Sequence, residues 1–215
     1  MFSAVEINSS FYKPHRASTF ARWAASVPAE FKFSVKLAKA ITHEKRLVGT
    51  AGDLDEFLRR VEPLGDKLAC LLVQLPPSLS FDAPLVRQFF ISLRQRLDRD
   101  IALEARNATW FTPSADRMLV KYRIARVAAD PACVPDAASP GGWSGVAYYR
   151  WHGSPRMYYS SYDAAALGAL AARINEARRS AGAAWCIFDN TASGAATSNA
   201  LGLRALLAGS SADGD

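Results

Sequence analysis

Two hydrophobic periods alternate along this chain, and that alternation fixes the class of fold open to it. Short apolar or β-branched runs occupy residues 3–9, 31–36, 68–75, 100–106, 126–130, 145–152 and 184–190. Between them lie longer amphipathic runs at 19–27, 53–62, 83–97, 113–122, 163–181 and 194–207. Leu54, Phe57, Leu58 and Val61 fall at i, i+3, i+4 and i+7, one face of a helix. Val86, Phe89, Phe90, Leu93 and Leu97 share a side in the same way. Residues 31–36 alternate with period two instead, and 68–75 is almost wholly apolar, as in a strand covered on both faces. Pro28 stops the first helix, Pro76 and Pro77 end the third strand, Pro113 opens a helix and Asp163 is placed to cap another. Seven strands and six helices are therefore predicted, with one long Pro-, Ala- and Gly-rich loop at 131–143. That order means an α/β protein with a parallel sheet.

Seven βα-type units point to a barrel more than to an open sheet. A (β/α)8 barrel needs eight strands and typically about 250 residues, so this chain is one unit short and opens directly inside a strand. No linker or shift in composition divides it. A single TIM-barrel-like domain is expected over 1–208, with a small polar tail at 209–215 expected to fray.

Composition excludes several classes. Half of the 215 residues are hydrophobic and 21% are charged, which suits a globular core and not a disordered chain. The net charge of +6 is spread without a basic block, so the clustered footprint of a nucleic-acid binder is missing. Cys70, Cys133 and Cys186 are isolated, with no CxxC, which argues against a disulfide framework or zinc site and fits a reducing cytoplasm. His15, His43 and His152 are equally scattered. No apolar run reaches the roughly 18 residues of a membrane span, and the start does not read as a secretory leader.

The strands share one further property: each stays apolar until near its end and then presents polar groups. Glu6 and Asn8, Ser34 and Lys36, Gln74, Glu104 and Arg106, Asp130, Arg150 and His152, and Asn190 mark the seven strand ends in order. Side chains two apart point the same way, and a barrel carries its site at the C-terminal rim. Glu6 and Glu104 are carboxylates suited to acid/base work or to a glycosidase-type pair. Lys36, Arg106 and Arg150 suit an anion, and His152 suits proton transfer near neutrality. Tyr12, Trp110 and Trp151 are rings able to stack on a sugar or base, although Trp151 should point away from His152. His43 follows the second strand and lies within reach of the rim, whereas His15 reads as a surface residue. Gly194 opens the last helix, where backbone N–H groups are able to meet a phosphate. Cys70 and Cys186 read as inert core residues. No cofactor is implied. Glu6, Glu104, Asp130 and His152 are also hard-ligand types for a divalent metal, but the neighbouring cations compete for the same carboxylates. The alternative to a site is a structural ion network filling the barrel mouth, since buried charges must be paired.

The segments VEINSSFY from Val5 to Tyr12, then FKFSVKLAKAITH, LVQLPPS, EARNATWF, YYRWHG and FDNTASGAATSNA, occur in that order. With them the chain resembles the YecE-like family, domain of unknown function seventy-two, from residue 3 to about residue 207. The resemblance implies a TIM-barrel-like fold, bacterial cytosolic proteins, no established activity, and a fold-level kinship with sugar isomerases. It carries over Glu6, Asn8, Tyr12, Lys36, His43, Gln74, Glu104, Arg106, Trp110, Asp130, Arg150, His152 and Asn190. Two departures stand out. The family's opening strand and helix, with a motif near GTSGWSY, have no counterpart, and Arg106-Asn107-Ala108 replaces the family's Arg-His-Pro. A misplaced start or a fragment is the expectation that follows.

The functional expectation is an enzyme-like site for a small polar, anionic or carbohydrate-like molecule. Glu6, Glu104 and His152 are its catalytic candidates. Asn8, Tyr12, Lys36, His43, Gln74, Arg106, Trp110, Asp130, Arg150, Asn190 and Gly194 are its substrate-binding candidates. A non-catalytic ligand- or nucleic-acid-binding module, or a truncated chain without activity, are the alternatives.

Overall fold

The computed structural model describes residues 2–209. Strands β1 (Ala4–Ile7), β2 (Lys32–Lys36), β3 (Leu68–Gln74), β4 (Asp100–Glu104) and β5 (Ile124–Arg126) pair in sequence order, each parallel to the next. Strand β6 (Ala128–Asp130) follows β5 after one residue and starts a second parallel ladder with β8 (Val146–Trp151) and β9 (Ala183–Phe188). The single strand expected at 126–130 is thus two short ones. Val127 joins them, and its N–H still reaches Leu103 O on β4 at 2.9 Å.

The predicted loop 131–143 holds a further short strand, β7 (Gly141–Gly142), antiparallel to β5. Its place depends on glycine. Gly142 has φ +66°, and a Cβ there would lie 2.7 Å from the Ile124 carbonyl oxygen.

Among the described residues the α-helices are α1 (Ala17–Ala25), α2 (Ala51–Val61), α3 (Ala83–Arg94), α4 (Pro113–Lys121), α5 (Ala164–Ala177) and α6 (Ala195–Gly209). Three start on side-chain caps. Asp82 accepts from Leu85 N–H, Thr112 from Ala115 N–H and Asp163 from Ala166 N–H. Gly209 closes α6, and 210–215, most of the tail expected to fray, lie outside the described residues. None of the described helices is long and apolar enough to cross a membrane.

Strand parity sorts the buried residues into cores. Val35, Leu71, Val73, Ile101, Leu103 and Ile124 face α1–α4 and pack with Phe20, Leu54, Phe90 and Leu119. Ala128, Tyr149, Trp151 and Phe188 face α5 and α6 and meet Leu170 and Leu203. The opposite column of side chains forms a third cluster that includes Cys70, Leu72, Ala102, Ala125, Val127, Tyr148 and Trp185. Each large apolar side chain so buried stabilises the fold by about 1.5–3 kcal/mol. The third cluster also positions the site, because the next residues of the same parity are Gln74, Glu104, Arg150 and His152.

Candidate functional site

Above the apolar floor of Leu72, Ala102 and Tyr148, the inward column turns abruptly to charge. Arg150, at 0% exposure, is the hub. Its Nη1 donates to Glu104 Oε2 at 2.5 Å, its Nε and Nη2 donate to the two oxygens of Glu6 at 3.0 and 2.7 Å, and Nη2 reaches Asp189 Oδ2 at 3.3 Å. Tyr148 adds a hydroxyl donor to Glu6 at 2.9 Å and lies 2.8 Å from the Ser34 hydroxyl.

Glu104 is saturated. Besides Arg150 it accepts from Gln74 Nε2 at 2.9 Å and Arg106 Nε at 2.8 Å, and it faces His152 Nε2 at 3.2 Å. Parallel register sets Gln74 opposite Glu104 across β3 and β4. Burial alone would raise the Glu104 carboxyl, but Arg150, His152 and Arg106 together hold it well below the usual range.

His152 is clamped between two carboxylates, with Nδ1 3.1 Å from Asp189 Oδ2 and Nε2 3.2 Å from Glu104 Oε1. Burial lowers an imidazole's affinity for its proton, yet these two hydrogen bonds outweigh it and raise His152 above its ordinary value. Carboxylates only accept, so the doubly protonated ring is the form that satisfies both contacts. Asp189 is lowered in return, by His152 and Arg150 against its burial.

Lys36 is the exception in this network. It is 4% exposed. Its ammonium lies over the Phe11 ring, 4.1 Å from the centroid, and among the described residues no hydrogen bond or ion pair holds it. Burial first, and then the Arg150 guanidinium, pull it down to about 8, although Glu104, Glu6 and Asp189 act the other way. Phe11 also packs edge-on against His43 and Tyr12. Burial, Lys36 and Arg106 lower His43. A cleft of about 240 Å³ is lined by Phe11, Phe20, Ile41 and Phe57 with Tyr12 and His15, and not by the residues bonded to Arg150.

The structure therefore brings Glu6, Gln74, Glu104, Arg106, Arg150 and His152 into one bonded cluster, with Lys36 electrostatically coupled to it and His43 beside Lys36. Other candidates stand apart. Asp130 shares parity with Ala128, faces the helix side and accepts from Tyr162 Oη at 2.5 Å. Asn190 shares parity with Phe188, and its amide donates to Ser160 O and Asn199 Oδ1. Trp110 is fully buried in the α1–α4 core with Nε1 donating to Leu79 O, so no ring face is open to a ligand. Tyr12 is 67% exposed. Asn8 starts a short 3-10 turn, and its buried Oδ1 lacks a partner among the described residues. Gly194 sits exposed before α6, its N–H donating to Thr191 O. His15, read as a surface residue, is half-buried against Phe20 and Trp23.

Trp151 points away from His152, as strand alternation requires, and packs on Tyr162. Two site residues were missed. Asp189 follows Trp185 and Ile187 in parity, which was the available signal. Tyr148 precedes Arg150 by two, so parity was again the available signal. Among the described residues no group of three or more His, Cys, Asp and Glu is arranged to hold a metal ion. Glu6, Glu104 and His152 are instead engaged with Arg150, Arg106 and Asp189.

Comparison with known proteins gives a consistent picture. The model of the family described as Protein of unknown function DUF72 matches residues 1–213. The UPF0759 protein YunF of Bacillus subtilis is 30% identical over 118 residues, 52% of this chain and 42% of that relative. The chain thus matches less than half the length of that curated relative. Two DUF72 family crystal structures share the fold over 96% of this chain. One, from Enterococcus faecalis, has a TM-score of 0.82 at 22% identity and is covered to 90%. The other, from Thermotoga maritima, has a TM-score of 0.81 at 26% identity and is covered to 85%.

Proposed function

This chain belongs to the DUF72 family, and from that premise we propose that it is an enzyme acting on a small anionic or carbohydrate-like molecule at the C-terminal ends of its strands. The observation that carries the proposal is a charge imbalance. Glu6, Glu104 and Asp189 are matched by Arg150, Arg106 and protonated His152, which leaves Lys36 as a largely buried residue whose charge has no hydrogen-bond or ion-pair partner among the described residues. A small anion supplies the missing partner. Arg106 keeps a quarter of its side chain open, at 26% exposure, for the same anion.

The roles differ from a symmetric pair of acids. Glu104, held ionised by its donors, positions Arg106, Arg150 and His152. His152 carries the mobile proton, and Glu6 anchors Arg150. We read the whole as one cytoplasmic TIM-barrel-like domain. The near-continuity of β5 and β6, and the reach of Tyr148 and Arg150 from β8 to Glu6 on β1, support that architecture.

A non-catalytic ion network is the second reading. The saturation of Glu104 by four donors favours it. Thermal unfolding with a panel of sugar phosphates and small carboxylates separates the two. A ligand at a hundred times its Kd adds about 2.7 kcal/mol, or about 5–10 °C at this size. A shift that vanishes in Lys36→Met supports the site, and no shift with any anion leaves the ion network.

A further inference from the structure

Lysines that hold this fold together are hydrogen-bonded. Lys67 donates to Ala24 O at 2.6 Å and Val27 O at 2.8 Å, and Lys32 donates to Asp66 O at 3.0 Å. Lys36 is more deeply buried than either, has three N–H donors and uses none of them on the described residues. Its neighbours are the Phe11 ring, the His43 imidazole, the Arg150 guanidinium, and the carboxylates Glu104, Glu6 and Asp189. An amine desolvated against an aromatic ring and set beside a second fixed cation is the arrangement that turns lysine from a charge into a nucleophile.

We propose that Lys36 attacks the carbonyl carbon of a small aldehyde or ketone that also carries a carboxylate or phosphate, forming an imine. The proposal rests on the anion-binding reading of the same site and names its substrate class. In the addition, the Nζ lone pair forms the C–N bond as the C=O π bond breaks. The oxygen then leaves as water, taking one proton from the amine and one from an acid, and a protonated imine remains. His152, protonated between Glu104 and Asp189, is the acid of this cluster. Arg106, bonded to Glu104 and partly open to solvent, meets the anionic end. The lowered proton affinity of Lys36, to about 8, leaves an appreciable share of free amine just above neutrality.

Borohydride trapping tests this directly. The full chain is incubated with pyruvate, glyoxylate or glycolaldehyde phosphate, reduced, and mapped by peptide mass spectrometry, beside Lys36→Arg and Lys36→Met. Melting of each mixture before reduction is followed in parallel. The expected result is one reduced adduct on Lys36, at least tenfold above the exposed lysines, absent from Lys36→Arg. Stabilisation by the probes with no adduct on Lys36 overturns the imine and leaves the anion site standing. Labelling spread over exposed lysines and unchanged in Lys36→Arg overturns it as well. No stabilisation and no adduct overturns both.

Discussion

Replacing Arg150 by methionine removes the hub of the strand-end network while keeping most of its volume. The guanidinium is fully buried and donates to Glu6, Glu104 and Asp189. Without it three carboxylates face Arg106, His152 and Lys36. Stranding buried charges in this way costs about 3–5 kcal/mol, or about 6–20 °C in Tm for a chain of this size. The pH dependence follows from Glu104, whose carboxyl Arg150 helps to hold well below its ordinary value. In the native protein that depressed value contributes stability present above the unfolded carboxylate range and lost as pH falls. In Arg150→Met the largest of the groups holding Glu104 down is gone and its value moves up, so less of that stability is present at neutral pH and the gap to the native protein narrows on acidification. Urea unfolding of both proteins between about pH 7.5 and 4.5 reads the gap directly, with m expected to stay constant. A gap under about 1 kcal/mol at neutral pH, or one that does not narrow on acidification, refutes the reasoning.

Lys36→Met should move stability the other way, raising it by about 1–3 kcal/mol at neutral pH, because a lysine lowered from 10.5 to about 8 is a cost to the fold. Between those two values the unfolded chain binds more protons, so wild-type stability should rise with pH there and that of Lys36→Met should not. His152 carries the opposite sign: its raised value gives stability that is complete below the unfolded imidazole value of about 6.5 and is lost as pH rises through the folded one. His152→Gln should lack that decline in urea titrations. Trp110→Phe should lose about 1–3 kcal/mol through the Leu79 hydrogen bond and core packing, with ligand-induced shifts in Tm unchanged.

Much of the site was legible because strand parity is a strong physical signal. Glu6, Lys36, Gln74, Glu104, Arg106, Arg150 and His152 extend the inward column, and burial on that side leaves few other reasons for charge. The failures came from counting polar residues at strand ends without carrying parity through. Asp130 and Asn190 follow Ala128 and Phe188 onto the helix side, where Tyr162 donates to Asp130 and the Asn190 amide donates to Asn199. Asp189, one residue away, takes the inward place. Trp110 was ambiguous because an aromatic after a strand suits a rim or a core equally, and the Leu79 carbonyl that decides it lies 31 residues away. The short β7 was hidden by its two glycines, which have no side chains to show a period. That Lys36 would be left without a partner could not be read from sequence, since it depends on Arg150 satisfying the carboxylates first.

The most direct test is the titration of the Lys36 side chain itself, followed by NMR of the labelled lysine and assigned by loss of the signal in Lys36→Met. A midpoint at about 8, displaced on addition of a small anion, is the expected result. A midpoint at the ordinary 10.5, unmoved by anions, would contradict an unpaired, buried amine at the centre of this site.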